Sequence, residues 1–406
     1  MSVTSSTPSP VTLPTRRGCP FDPPDEYGTL RQSRPTSRLA FPDGKTGWLF
    51  TRYEDVRGLL ADVRFSSDRR RASSPVRAFP IRDGDPRVPG SLIGMDPPEH
   101  TRYRRLVTRW FTVRRMRELA PRIERIVADR LDAMERTGPP VDLVREFARP
   151  IPSLVICELL GVPYGDRTDF QRWTATLFHL DEPKESVFAA RDALWEYVRE
   201  LVVAKRRHPD EALLSQLIHS EDPSAGLTDQ ELTGVGQLLL IAGHETTANM
   251  LALGTFALLC HPEQSRILRE QPDLVDNAVE ELLRYLTIVQ FGIVRVARED
   301  VEVAGVRVRA GETVVASIAA ANRDPAQFPE PDKLDITRDA AHHIAFGHGV
   351  HQCLGQQLAR MEMRTAYPAL FRRFPTLRLA VPADQVPLRD DMFIYGVHRL
   401  PVTWQG

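Results

Sequence analysis

The segment that most constrains this chain starts at Thr228-Asp229-Gln230-Glu231, which has the form of a capping box. Apolar residues then recur at three- and four-residue spacing to about Cys260. Some thirty residues at 1.5 Å each make a rod of about 45 Å, enough to cross a whole domain. A fold holding such a helix must be assembled around it. The stretch Val235 to Cys260 is also the most apolar in the chain, but His244, Glu245 and Asn249 interrupt it and argue against a membrane span. Around them, Ala242-Gly243-His244-Glu245-Thr246-Thr247 is a polar cluster inside an apolar helix. Small residues admit a ligand close to the backbone, and glycine beside hydroxyl side chains loosens the helical ladder. A solvent-facing polar stripe would account for the same residues. The flanking Leu238-Leu239-Leu240-Ile241 and Met250-Leu251 favour burial, and a buried Glu-Thr pair requires a reason.

A second constraint lies in Phe346-Gly347-His348-Gly349-Val350-His351-Gln352-Cys353-Leu354-Gly355. This glycine-rich loop presents one sulfur just before a predicted helix, Gln356 to Met363. A thiol there meets unpaired backbone N–H groups and the positive end of the helix dipole, which favours the thiolate. Glycines permit close backbone approach to a flat ligand. A thiolate on an open loop suits a metal with one axial position to fill, and haem iron fits that description. Three other readings stand beside it: a small buried hydrophobe, as expected for Cys19, Cys157 and Cys260; a zinc site with His343, His348 and His351; and a Cys/His nucleophile.

Pro97-Pro98-Glu99-His100-Thr101-Arg102-Tyr103-Arg104 opens a helix that places His100 and Arg104 on one face. Such a pair can bind two neighbouring carboxylates; a solvated basic face is the plain alternative. Glu281-Leu282-Leu283-Arg284 sets opposite charges three apart on an amphipathic helix starting near Asp273, as a surface pair or as a buried tie to the cysteine loop. Arg295 falls in a strand-like alternation opposite in phase to its apolar neighbours, positioned for an anion or for water. Strand patterns cover Thr46–Thr51, Val301–Val303 and Val306–Val308 with Ala304-Gly305 as the turn, and β character continues over Val314–Ala320. Helical spacing covers most of Glu99 to Arg284, so the chain is mainly α with a small β region. Arg69 to Gly90 is basic and aperiodic, a candidate mobile loop. Met1 to Arg17 and Gly18 read as a disordered leader (1–18), and 19–406 as one domain. A net charge of −1 implies no nucleic-acid partner, and four irregularly spaced cysteines imply a reducing, cytoplasmic setting with no membrane anchor.

Taken in order, these motifs resemble the cytochrome P-450 superfamily of haem-thiolate monooxygenases, from about Cys19 to the C-terminus. Phe-Gly-x-Gly-x-x-x-Cys-x-Gly is the most specific of them. The resemblance implies a single-domain triangular prism with the long central helix over the haem. It implies that Cys353 is the axial thiolate of haem b, framed by Phe346, Gly347 and Gly355, and that His100, Arg104, Arg295 and His351 bind the propionates. Glu245 and Thr246 match the acid–alcohol pair beside the O2 site, and Glu281 and Arg284 the structural ion pair, with His348 or Arg338 as third member. Leu239, Ala242, Ile293, Val294, Phe393 and Ile394 would line an apolar pocket, joined by Arg69–Gly90 and Trp173–Leu180. Electrons would come from NAD(P)H through a ferredoxin reductase and a ferredoxin; Arg102, Arg105, Arg109, Arg114, Arg115 and Arg117 form either a basic dock for an acidic ferredoxin or a solvated helix face. Cys19-Pro20-Phe21, Val155 to Pro163 and Val350 to Gln356 resemble a soluble actinobacterial subgroup that hydroxylates macrolides, secosteroids and xenobiotics. Hydroxylation of a bulky apolar small molecule by a monomer is therefore expected. Ring coupling, desaturation or epoxidation, and a non-catalytic haem sensor, are the alternatives.

Overall fold

The computed structural model describes residues 9–76, 87–220 and 226–405. Among these the α-helices are α1 (Glu26–Ser33), α2 (Tyr53–Ala61), α3 (Glu99–Thr108), α4 (Val113–Thr137), α5 (Pro150–Leu160), α6 (Arg167–Phe178), α7 (Lys184–Arg207), α8 (Leu213–Ile218), α9 (Asp229–Cys260), α10 (Pro262–Glu270), α11 (Val275–Leu286), α12 (Ile318–Ala321) and α13 (Gln356–Arg373). The strands are β1 (Thr36–Ala40), β2 (Thr46–Phe50), β3 (Phe65–Ser66), β4 (Val141–Asp142), β5 (Ile293–Ala297), β6 (Val301–Val303), β7 (Val306–Val308), β8 (Thr313–Ala316), β9 (Arg378–Leu379) and β10 (Pro401–Thr403).

Both halves of the capping box are made. Thr228 Oγ1 accepts from the Glu231 N–H at 3.2 Å, and Glu231 Oε2 accepts from the Thr228 N–H at 2.7 Å. From there α9 runs 32 residues, about 48 Å at 1.5 Å per residue. It is buried on nearly every side, as a helix apolar all round must be, against α5, α7, α10, α11 and α13. Gly243 is a packing residue: a Cβ there would lie 2.6 Å from the Ile156 side chain of α5. It therefore leaves room for a neighbouring helix and not for a ligand.

The β region is a five-stranded sheet in the order β1-β2-β8-β5-β3, a three-stranded sheet β4-β10-β9 and the hairpin β6-β7. Ala304 and Gly305, at φ +48° and +76°, supply the left-handed pair that a two-residue hairpin turn requires. The β character expected over Val314–Ala320 ends at Ala316. Ser317 Oγ accepts the Ala320 N–H at 3.2 Å and so starts α12 instead. The leader also departs from expectation where it is described. Val11 forms a parallel bridge with Leu39, and Leu13 is buried in the cluster under β1, because an unpaired sheet edge and an apolar face were there to receive them. Residues 1–8, and 77–86 of the expected Arg69–Gly90 loop, lie outside the described residues.

Glu281 and Arg284 are both fully buried. Arg284 donates to Glu281 from Nε at 2.7 Å and from Nη2 at 2.9 Å. Its Nη1 also donates to the carbonyls of Asn322 and Pro331, at 2.9 and 2.8 Å. Glu281 Oε1 accepts the Asp335 N–H at 3.0 Å and Arg338 Nε at 3.3 Å. Of the two candidates for third member, Arg338 is the one in contact. The network ties α11 to the segment 322–338, and Asn322 Oδ1 then receives the Ile344 N–H at the threshold of the cysteine loop. Removing one partner of such a buried pair strands a charge, at about 3–5 kcal/mol. Glu281→Ala is expected to lower the urea unfolding free energy by that amount and to reduce the folded yield; an unfolding midpoint equal to wild type would show that the pair carries no such load.

Candidate active site

The loop before Cys353 owes its shape to two glycines. Gly347 and Gly349 stand at φ +72° and +74°, closed to most residues with a Cβ, and at Gly349 a Cβ would lie 2.5 Å from the Leu60 carbonyl oxygen. The Cys353 N–H closes the loop on the Phe346 carbonyl at 2.9 Å. A Cβ on Gly355 would meet open space. Cys353 is exposed in area, yet burial pushes its thiol above the ordinary value. The two facts agree only if the sulfur borders a hollow inside the protein, open on one side but remote from bulk water. The backbone N–H groups of Gly355 and Gln356, with Arg104 and Arg360, act in the opposite sense. The expectation that the helix start alone favours a thiolate is thus reversed by desolvation; a cation at the sulfur would be needed to secure the charge.

Four nitrogen-bearing side chains act electrostatically on one another in this region, and Arg104 among them acts on Cys353. His100 is 2% exposed, and neither ring nitrogen has a hydrogen-bond partner; His351 Nδ1 is likewise buried and unpartnered. Their rings lie 4.2 Å apart. Burial, then Arg295 and His100, pushes His351 down to about 3, while burial and Arg104 lower His100. Arg295, on β5, turns inward at 7% exposure, and burial with the nearby Arg69 brings it to about 10. Arg104 is lowered by burial and acts electrostatically with Cys353. Asp96, the acid that acts on these rings, is engaged with Ser66 Oγ at 2.5 Å and the Ser67 N–H at 2.8 Å. Buried donors of this kind require hydrogen-bonding partners. Two carboxylates side by side would satisfy the chemistry of this cluster, so the donor set fits the propionates of a haem.

On the central helix α9, Leu238, Ala242 and Thr246 share one face at four-residue spacing. Ala242 is exposed and Thr246 half-buried although the helix is otherwise enclosed, so this face also borders a hollow. Thr246 Oγ1 donates to the Ala242 carbonyl at 2.9 Å. Leu239, expected on the pocket wall, is buried in the core at 7% exposure; Leu238 holds the open face instead. Ile293, Val294 and Phe393 are half-buried, Ile394 is buried, and Trp173 to Leu180 is half-buried apart from Thr174. Glu245 is buried, as the flanking apolar residues favoured, and the reason for its burial is a charged partner. It is 4% exposed and paired with Arg389, Oε2 to Nη1 3.2 Å. His244 is fixed between Leu240 O at 2.7 Å and Thr174 Oγ1 at 2.9 Å, and burial lowers its basicity.

Sequence reasoning missed Glu280. Its carboxylate takes His343 Nε2 at 3.0 Å and Arg360 through Nε and Nη2, both at 2.7 Å. Burial alone would raise this carboxyl; the hydrogen bonds outweigh it and hold it at about 2. Arg360 stacks on Phe346, 4.5 Å from the ring centroid, and acts on Cys353. The seven-residue spacing from Cys353 to Arg360 was the available signal, one that means nothing until α13 is placed against α11. The zinc alternative finds no support in geometry: among the described residues no three His, Cys, Asp or Glu side chains cluster as metal ligands.

A family model described as Cytochrome P450 matches residues 75–402. Cytochrome P450-SU2 of Streptomyces griseolus is 47% identical over 402 residues, covering 98% of both chains. Vitamin D(3) 25-hydroxylase of Pseudonocardia autotrophica is 47% identical, covering 94% of each. The crystal structure of CYP105P1 in complex with filipin I superposes with a TM-score of 0.92 at 48% identity, covering 98% of this chain and 99% of that one.

The Glu280 network sets an acid limit. Its carboxyl is depressed from 4.5 in the unfolded chain to about 2, so its stabilisation is complete above pH 4.5 and is lost as pH falls toward 2. At about 1.4 kcal/mol per pH unit, this is worth about 3–4 kcal/mol. Glu280→Gln is expected to lose that much stability at pH 7 and to show a flatter decline below pH 4.5; parallel stability–pH curves for the two proteins would contradict it.

Proposed function

Because the chain belongs to the cytochrome P450 family, and is a haem-thiolate monooxygenase acting with haem b and O2, we propose that Cys353 would hold the haem iron through its sulfur and that the substrate is a bulky apolar small molecule of the macrolide, secosteroid or xenobiotic kind. One observation carries the assignment of the haem site. An accessible but desolvated sulfur stands beside a buried set of donors, His100, Arg104, Arg295 and His351, whose ring nitrogens lack any anion. Haem supplies a metal for the sulfur and two carboxylates for the donors, cancelling both deficits together. Open space at Gly355 and the cationic Arg360 beside the sulfur support the same arrangement.

When bound, the haem accepts electrons and activates O2 for insertion of one oxygen atom into substrate. The chain's own residues do the rest. Phe346, Gly347 and Gly355 frame the sulfur. On the opposite side Ala242 keeps the wall of α9 low, and Thr246, with its hydroxyl in the hollow, holds a proton within reach of that space. Glu245, one residue away, is the acid of the proton path. Leu238, Ile293, Val294 and Phe393 exclude water and orient the substrate, with Ile394 buried behind them. The apolar character of these side chains, and the relatives named for vitamin D(3) and bound to filipin I, support the substrate class. The sensor alternative is not favoured, since the relatives are oxygenases.

Soluble bacterial members of the family draw electrons from a ferredoxin and its reductase, with NAD(P)H as the source. For the dock, Arg105, Arg109 and Arg117 are the stronger candidates. They are exposed, whereas Arg102 pairs with Glu231 and Arg114 and Arg115 pair with Glu118. We read the protein as a cytoplasmic monomer. All four cysteines are free, and among the described residues no helix is long and apolar enough to cross a membrane.

Two measurements test this reading. Cys353→His is expected to abolish the thiolate signature of the reduced, CO-bound protein; an unchanged Soret band would remove Cys353 as ligand. Spectral titration of the ferric protein with macrolides, secosteroids and drugs is expected to displace the iron-bound water with at least one of these classes. Uniform silence across them, with small polar molecules active instead, would overturn the substrate class.

A further inference from the structure

The acid of the central helix has a dedicated partner from a distant part of the chain. Glu245 Oε2 lies 3.2 Å from Arg389 Nη1, with side chains 5% and 6% exposed. Asn249 Nδ2 donates to the same Oε2 at 3.3 Å and to the Glu245 carbonyl at 2.8 Å. Both side-chain contacts therefore fall on one oxygen of the carboxylate.

Arg389 belongs to a C-terminal hairpin, closed by the antiparallel bridge of Leu388 with Val397 and by the Arg389 N–H on the Gly396 carbonyl at 3.0 Å. Gly396 lies so close to α9 that a Cβ would collide with Asn249 Oδ1. The hairpin thus touches the acid's surroundings twice, by charge at Arg389 and by contact at Gly396. Its tip carries Phe393 and Ile394 of the expected pocket wall. The tip is held in turn by the Phe393 N–H on Phe178 O at 2.7 Å and the Tyr395 N–H on Ile288 O at 2.9 Å.

We propose that Arg389 is a positioning residue for oxygen activation: it fixes Glu245 through Oε2, leaves Oε1 as the oxygen that handles the proton, and joins this carboxylate to the hairpin that contacts substrate. The proposal rests on the reading of Glu245 as the acid of the proton path. With Arg389 gone the carboxylate would lose its charged partner and be free to turn away from this position. It also cannot swing to solvent while the pair is closed. Reorienting it requires movement of the hairpin, and a ligand pressing on Phe393 acts on that same hairpin. Substrate fit and proton delivery are then mechanically linked, with Arg389 as the link.

The test compares Arg389→Gln, Arg389→Lys, Glu245→Gln and the Arg389→Gln/Glu245→Gln double variant as haem-loaded enzymes with ferredoxin, its reductase and NADPH. Product, hydrogen peroxide and the solvent deuterium isotope effect on NADPH consumption are measured for each. Arg389→Gln is expected to raise the ratio of peroxide to product about tenfold, in the range of a lost general acid–base contribution, with an enlarged isotope effect. Arg389→Lys, which keeps the charge without the fork, should recover most of the coupling. The double variant should be no worse than Glu245→Gln alone. Urea unfolding of the same set should be non-additive; additive losses would show that the two side chains are not joined in solution and would overturn the proposal. Normal coupling in Arg389→Gln beside a defective Glu245→Gln would overturn it while sparing the acid. Normal coupling in Glu245→Gln would instead bring down the underlying reading. If Arg389→Gln does not fold, the cycle of Arg389→Lys, Glu245→Gln and their double variant decides: additive unfolding losses overturn the proposal, and non-additive losses support it.

Discussion

Two adjacent carboxylates on α11 hold the cysteine loop from opposite directions. Glu281 turns into the core, where Arg284, Arg338 and the Asp335 N–H enclose it and fix the segment 322–338. Glu280 takes His343 from the approach to the loop and Arg360 from α13 beyond it. Neither pair is a surface ornament, because the first is wholly buried and the second largely so. Between them they set where residues 344 to 356 begin and end. The glycines then have only to bend the chain between fixed points, and the sulfur of Cys353 follows.

The hollow itself is defined by what its lining lacks. Desolvation raises the thiol, lowers two imidazoles and brings Arg295 to about 10, all in a region where the facing acid, Asp96, is occupied by Ser66 and Ser67. Each of these groups is costly alone and inexpensive beside the right ligand. A site assembled from mutually uncompensated groups stores its preference for the ligand in the fold, before the ligand arrives. Glu245 follows the other strategy, since its charge is balanced within the chain by Arg389. On the proposed reading the haem side is open electrostatically and the oxygen side closed, as suits a permanent cofactor on one face and a controlled proton on the other.

Much of this was legible beforehand. The capping box of α9, the hairpin at Ala304-Gly305 and the helix after Cys353 are local patterns, fixed by hydrogen bonds and spacing within a few residues, whereas the sequence left the Glu281–Arg284 pair open between surface and core. Other readings went astray where a neighbour decided. Gly243 serves Ile156 and not a ligand, Leu239 lies in the core one residue from the open face, β8 ends early because Ser317 caps α12, and Val11 is drawn onto a sheet edge. In each instance the sequence permits both outcomes, and packing selects one.

The sequence by itself determined the reaction class, because the spacing of glycines around Cys353 and the acid–alcohol pair inside a capped helix are chemical requirements written within short windows. The tertiary structure alone decided which charges stand together: Arg338 and not His348 with Glu281, Arg360 with Glu280, and Arg389 with Glu245, 144 positions apart in the chain. Coulombic pairing depends on distance in space and on local burial, and neither can be read from separation along the chain.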